Sequence, residues 1–251
     1  MAIACEHIGL EIKDGMRLIR MQRPEKKNAL TQPMYQAMAA AISDANSDDD
    51  TKVTVLLGEP GAFCAGNDIA DFAQMAKGGA LGQPIIDLLY ALARSEKPIV
   101  AGVDGLAIGI GTTMLLHCDY VVASTISRFK TPFTDLALVP EAASSLIAPR
   151  LMGHQKAFEL LCMSELWDAN QMAQTGLINK LVSSEEVEGN ALEAANVIAS
   201  KPQAAMKAAR ALLRSVSQSE VEAQIEKEAT AFRAQLASSE AQAAFVAFLK
   251  K

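Results

Sequence analysis

No Cys-x-x-Cys pair occurs among the four cysteines of this 251-residue chain (Cys5, Cys64, Cys118 and Cys162), and its three histidines (His7, His117 and His154) are scattered. Disulfide frameworks and structural zinc sites need such groups at short spacing, so neither is expected and no metal is assigned. Basic charge is also short. Lys and Arg number 23 against 29 Asp and Glu, a net charge of −6, which lacks the basic footprint of a nucleic-acid binder. The first residues show no basic region, apolar stretch and cleavage site in succession, so no signal peptide is read and a cytoplasmic location is expected. One run, Ile99–Cys118, is almost uncharged. It follows Pro98 and contains Asp104, Gly102, Gly105, Gly109 and Gly111, which suits a buried strand and tight turn better than a membrane span. Neither a membrane nor a nucleic acid is expected as a partner.

What the chain does have is apolar substance. Half its residues are hydrophobic, enough to exclude disorder and to build one large core or two small ones. Alternation in Ile8, Leu10 and Ile12 and again around Leu18 to Met21, with Asp14-Gly15 between, predicts a hairpin with a two-residue turn. A polar loop follows, from Gln22 to Asn28. Thr31 is then expected to cap a helix with Pro33 in its first turn, running through Met34, Met38 and Ile42 to an acidic loop at Asp44–Asp50. Val53–Leu57, Ile99–Val103, Asp119–Ala123 and Arg128–Thr131 have strand length, and helical patterns lie at Asp68–Ala76 and Pro84–Ser95. After Pro140 helices dominate, with Ile178–Val182 the one strand among them. Strands alternating with helices, then helices alone, predict an α/β core with a helical extension. No repeat or flexible linker divides the chain. The expected organisation is a core over residues 1–185 and a helical region, 186–251, packed on it; the family resemblance described below further implies that the core carries the active site and that the helical region takes part in subunit contacts.

Three segments carry candidate chemistry. Ala62-Phe-Cys-Ala-Gly-Asn-Asp68 and Gly105-Leu-Ala-Ile-Gly-Ile-Gly111 each follow a strand and precede a helix. Facing one another, two such turns would aim backbone N–H groups at a carbonyl that becomes negative. Taken alone, each is more simply an ordinary tight turn. Neither completes a phosphate-cradling pattern, which leaves nucleotide hydrolysis and dinucleotide binding without footing. The third segment places Glu141 after Pro140, among apolar residues and just before Ser144-Ser145. Apolar surroundings would raise its pKa and suit a general base. A helix start would lower it, and the spacing does not choose between the two.

These segments together resemble the crotonase (enoyl-CoA hydratase/isomerase) superfamily over almost the whole chain. Arg23-Pro-Glu-Lys-Lys-Asn-Ala-Leu30, Phe63-Cys-Ala-Gly-Asn-Asp68, Ala107-Ile-Gly-Ile-Gly111, His117-Cys-Asp119 and Phe129-Lys-Thr-Pro132 carry the likeness by their order and spacing. The resemblance implies an α/β spiral of ββα units with a helical C-terminal part, assembled as a homotrimer or hexamer. It also implies an acyl-CoA thioester substrate and no cofactor beyond the coenzyme A that the substrate brings. By motif matching, the carbonyl-holding N–H groups fall on Asn67 and Ile110, the latter standing where glycine is usual. Around them Ala65, Gly66, Asp68, Ile69, Gly109, Gly111 and Phe133 are implied substrate neighbours, with Arg23 and Lys27 near coenzyme A.

Within the family the acids discriminate. Positions matching the two glutamates of hydratases hold Thr113 and Phe133, neither able to act as a carboxylate base. Pro140-Glu-Ala-Ala-Ser-Ser145 instead resembles the Pro-Glu-Gly-x-Ser-Ser segment of Δ3-Δ2-enoyl-CoA isomerases, with Ala142 for glycine. One base suffices for that reaction, and Phe129, Phe133 and Leu136 are candidates to exclude water. Hydratase activity would need Asp135 or Asp71 to reach the pocket. A dehalogenase would need a shorter acid at 141, and a non-catalytic acyl-CoA binder would need no base. Lys207, Arg210 and Arg214 are read as a solvated helix stripe, and Cys64 as packing rather than a nucleophile.

Overall fold

The computed structural model describes residues 3–71, 82–214 and 216–249. In chain order the strands are β1 (Ile8–Lys13), β2 (Met16–Met21), β3 (Val53–Leu57), β4 (Ala62–Cys64), β5 (Ile99–Val103), β6 (Leu106–Ile108), β7 (Tyr120–Ser124), β8 (Arg128–Lys130), β9 (Trp167–Asp168) and β10 (Lys180–Val182). The helices are α1 (Gln32–Ser47), α2 (Gln83–Arg94), α3 (Ile110–Thr113), α4 (Ser144–Met152) and α5 (His154–Leu161). After them come α6 (Ala169–Ala173), α7 (Val187–Ala199), α8 (Gln203–Leu213), α9 (Gln218–Leu236) and α10 (Ser239–Leu249).

The strands alternate between two sheets. One runs β1-β2-β3-β5-β7-β10, parallel throughout except for the β1–β2 hairpin; the other runs β4-β6-β8-β9, parallel except for its last pair. Successive passes of the chain therefore lay a strand in each sheet before crossing back, and they stack as a spiral of ββα units without any sequence repeat. The hairpin turn is the two-residue Asp14-Gly15, with φ of 52° and 78°, the positive angles such a turn requires.

The continuous apolar strands are explained by burial on both faces. Val53, Val55, Val100 and Val122 meet Val187, Ala191, Ala195 and Ala199 of α7 on one face of the large sheet. Leu56, Ile99, Ala101, Val103, Val121 and Ala123 point the other way, into a core shared with Met34, Met38 and Ile42 of α1 and Leu88 and Leu92 of α2. The Ile99–Cys118 run resolves into β5, β6, α3 and a 3-10 turn. No helix among the described residues is long and apolar enough to cross a membrane.

Three expectations need correction. Thr31 occupies the N-cap of α1, yet its side chain makes no capping bond; the Asp71 carboxylate, 40 residues on, accepts the Gln32 N–H instead at 2.8 Å. The helix also runs on past Asp44 to Ser47. Arg210 is not solvated: it is 7% exposed, bonds Asp119 at 2.8 Å and donates to the Ser95 carbonyl, tying α8 to the chain entering β5. Arg214 likewise donates to Ala93 O at 3.1 Å, and only Lys207 of that stripe stays at the surface, paired with Glu96. The pattern expected over Asp68–Ala76 begins as a helix at residues 69–71, and its remainder lies outside the described residues.

Candidate active site

Strands β4 and β6 are parallel neighbours, so the two glycine turns leave the same edge of the small sheet side by side. Gly66 has φ of 89°, and Gly109 has φ of 56° with ψ of −121°, backbone that a side chain would strain. They also touch: a Cβ on Gly109 would lie 3.9 Å from the Gly66 Cα, and one on Gly66 only 3.0 Å from the Ile108 carbonyl oxygen. The polar loop fixes the first turn, as Leu30 N donates to Gly66 O (2.7 Å), Ala65 N to Lys27 O (3.0 Å) and Asp68 N to Leu30 O (2.9 Å). Gly109 N donates to Lys130 O at 2.8 Å and fixes the second. The N–H groups of Asn67 and Ile110 have no acceptor among the described residues, and both residues line one cavity of about 600 Å³. Tyr35, buried in α1, donates its hydroxyl to the Asn67 side-chain oxygen at 2.6 Å and holds that side chain.

Glu141 enters the same cavity from the loop before α4. Its neighbours there are largely apolar: Phe133, Leu136, Leu138, Phe232 and Phe245. Burial pushes its carboxyl up to about 8; the Thr113 hydroxyl donating to it works against that rise, and the nearby Glu228 carboxylate adds to it. Glu228 of α9 occupies the N-terminus of α4, accepting from Ala143 N at 2.6 Å, Ser145 N at 3.0 Å and the Ser145 hydroxyl.

The turn carrying Glu141 is strained. Ala142 and Ala143 have φ of 61° and 53°, both left-handed, which accounts for the glycine that the isomerase-like segment carries at the first of them. The His117 ring donates from Nε2 to the Ala142 carbonyl at 2.8 Å, and its burial keeps it neutral by lowering its pKa to about 4.

Of the residues singled out from sequence, Ala65, Gly66, Asn67, Ile69, Gly109, Ile110, Phe133 and Glu141 line the cavity together. Arg23, Lys27, Asp68 and Gly111 do not. The Arg23 guanidinium bonds Asp68 at 2.7 Å and the Ala29 carbonyl at 3.0 Å, bracing the turn from behind. Asp68 also accepts from Ala70 N and Asp71 N, the cap of the helix that follows. Lys27 sits in the left-handed region at φ of 51° and contributes its carbonyl. Gly111 is a packing position, since a Cβ there would meet the Cys64 carbonyl oxygen at 2.5 Å. The Cys64 thiol, pushed up to about 12 by burial, is no nucleophile. Asp71 is occupied in capping α1, and Phe129 lies in the core rather than in the cavity wall. Asp135 does reach the wall, paired with Lys130 at 2.8 Å and with its side chain 49% exposed.

Sequence reading missed Thr113 as a partner of the base, and missed the contribution of the last two helices. Phe232 of α9 and Ala244 and Phe245 of α10 close the far side of the cavity. A signal existed for Glu228: it falls on the same stripe as Val221, Ile225, Phe232 and Leu236, a charge where α9 turns its buried face inward.

Comparison with known proteins decides which family these features belong to. The family model for enoyl-CoA hydratase/isomerase matches residues 11–251. The chain belongs to the enoyl-CoA hydratase/isomerase family. A solved enoyl-CoA hydratase/isomerase from Pseudoalteromonas atlantica T6c superposes with a TM-score of 0.92 at 36% identity, covering 98% of this chain and 97% of that one. Enoyl-CoA delta isomerase 2 of Rattus norvegicus is 32% identical over 94% of this chain, which spans 62% of that protein's length. The crotonyl-CoA hydratase of Syntrophomonas wolfei subsp. wolfei is 29% identical over 99% of this chain and 97% of its own. As a hydratase/isomerase family member with the crotonase fold, the protein is an acyl-CoA-processing enzyme. Similar proteins also include 4-chlorobenzoyl coenzyme A dehalogenases of Arthrobacter sp, 30% identical over 78% of this chain, so the reaction is not fixed by likeness and the choice falls to the residues of the cavity.

Proposed function

We propose that the protein is a Δ3-Δ2-enoyl-CoA isomerase with Glu141 as its single acid/base. The observation that carries this reading is one buried carboxylate, held near neutrality in its pKa, in an apolar cavity that two unpaired backbone N–H groups also face. The Asn67 and Ile110 N–H groups would hold the thioester oxygen. Glu141, ionised, takes a proton from C2, and the electron pair spreads onto that oxygen as an enolate, which the two donors stabilise as charge develops. The protonated Glu141 then returns its proton at C4. The double bond moves from C3–C4 to C2–C3, and nothing is added or lost. Of the two positions that match hydratase acids, Thr113 is a hydroxyl bound to the base and Phe133 is a ring in the wall.

Hydration is the second reading, favoured by the Syntrophomonas relative and by Asp135 in the cavity wall. Asp135 is half-exposed and neutralised by Lys130, a poor arrangement for activating water at C3. The same proposal includes assembly as a trimer or hexamer, with the helical region after residue 185 in the contacts. Leu212 and Leu213 support it, being 88% and 83% exposed in the single chain.

Purified protein incubated with a 3-enoyl-CoA and, separately, a 2-enoyl-CoA tests the choice. Isomerisation appears as conjugated-thioester absorbance with no mass change. A one-water mass gain from the 2-enoyl-CoA as the dominant reaction would establish the hydratase instead.

A further inference from the structure

The carboxylate of Glu141 is aimed by a turn that its own sequence does not favour. Ala142 and Ala143 are consecutive left-handed residues with side chains, a backbone conformation that alanine adopts only under strain. Ala143 is also the N-cap of α4, and it has no side-chain acceptor to offer the helix. Both needs are met by one group from 85 residues further along. Glu228 places one carboxylate oxygen on Ala143 N and the other on Ser145 N and Oγ, and Gln224 one turn earlier on α9 donates to that same Ser145 hydroxyl. Glu228 is 5% exposed, and among the described residues no Lys or Arg is paired with it. Phe232, the next turn of α9, lines the cavity. The same helix thus forms the pocket wall and clamps the segment that carries the base.

We propose that Glu228 is the positioning residue of the Glu141 base: its carboxylate clamps the left-handed Ala142–Ala143 turn and places a second acid beside Glu141. The inference rests on the reading of Glu141 as the base. The groups that face Glu141 from the packed elements are Tyr35 of α1, Cys64 of β4, Thr113 of α3 and Glu228 of α9, with Lys130 and Asp135, paired with one another, in the same cavity wall. Tyr35 and Cys64 are buried with raised pKa values, so both stay neutral, and His117 beside the turn is neutral as well. Among the described residues this leaves Glu228, whose own carboxyl burial pushes up to about 7, as the charged group that acts on Glu141 in the range where Glu141 titrates. Its repulsion favours the protonated form of Glu141, so neutralising it must lower the Glu141 pKa.

Two variants and two readouts test this. In Glu228→Gln the charge is gone and one turn N–H faces an amide donor. We expect kcat on 3-enoyl-CoA to fall roughly 10- to 100-fold through misplacement of the base, with KM little changed. A carboxyl-carbon NMR titration should show Glu141 ionising at lower pH than in the parent protein. In Glu228→Ala, adding Ala143→Gly should recover part of the lost kcat, because glycine holds the left-handed turn without the clamp. An unchanged Glu141 titration in Glu228→Gln, or no recovery from the glycine, would overturn the proposal. The titration needs no turnover. If the parent protein fails to isomerise 3-enoyl-CoA, the functional reading falls while the titration still decides the role of Glu228.

Discussion

Glu141→Gln is expected to lower isomerisation by roughly 10²- to 10⁴-fold, the usual contribution of a general acid/base. The amide keeps the size of the side chain and can still meet the Thr113 hydroxyl, so binding of acyl-CoA should survive and the loss should fall on kcat. Steady-state kinetics beside direct binding of a saturated acyl-CoA separates these effects. The pH dependence follows from the same burial. Glu141 must be ionised to take the C2 proton, so the rate should rise with pH through about 8 and level off above it. For stability the sign is reversed. A carboxyl whose folded pKa is raised from its ordinary value of 4.5 stabilises the fold while protonated; that contribution is complete below 4.5 and is lost as pH climbs through about 8. Glutamine is neutral at every pH, so melting temperatures across that window should decline less in the variant than in the parent. A parent profile as flat as that of the variant would contradict the buried, raised carboxyl.

Removing one backbone donor should be the other large effect. Ile110 is the first residue of α3, a position where proline fits because its N–H has no helical partner. Ile110→Pro therefore deletes the donor with little demand on the helix, and a lost oxyanion donor costs about 10²–10³ in kcat. Ile110 is also buried at 2% exposure, so the comparison must be made against Ile110→Ala, which loses the side chain and keeps the N–H. The proline variant should be far slower than the alanine variant at similar melting temperature. Equal rates for the two would mean that the Ile110 N–H holds no developing charge.

Local signals carried much of this site. Asp14-Gly15 announced its hairpin, Val53–Leu57 and Ile99–Val103 matched their strands, and the two glycine turns stood where a strand meets a helix. Those features are written in consecutive residues, where propensity and spacing act. The failures share a physical cause too. Asp71 caps α1 from 40 residues away, Arg210 is buried against Asp119, and Glu228 reaches back to Ala143. Each is a polar group whose partner is chosen by tertiary packing, and no periodicity in the chain records the pairing. The same limit applies to the base. Spacing left Glu141 balanced between a helix-start carboxylate and a buried one, and what decides it is that another acid already fills the helix start. Ala142 and Ala143 illustrate the converse, since nothing about alanine advertises a left-handed turn; the clamp from α9 and the bond from His117 impose it.

The single-base route is tested most directly with 3-enoyl-CoA carrying deuterium at both C2 positions, followed through one turnover. One carboxylate carrying the proton from C2 to C4 predicts a 2-enoyl-CoA in which deuterium appears at C4 well above the solvent level, with no water added. A C4 hydrogen drawn wholly from solvent, or a product heavier by one water, would contradict it.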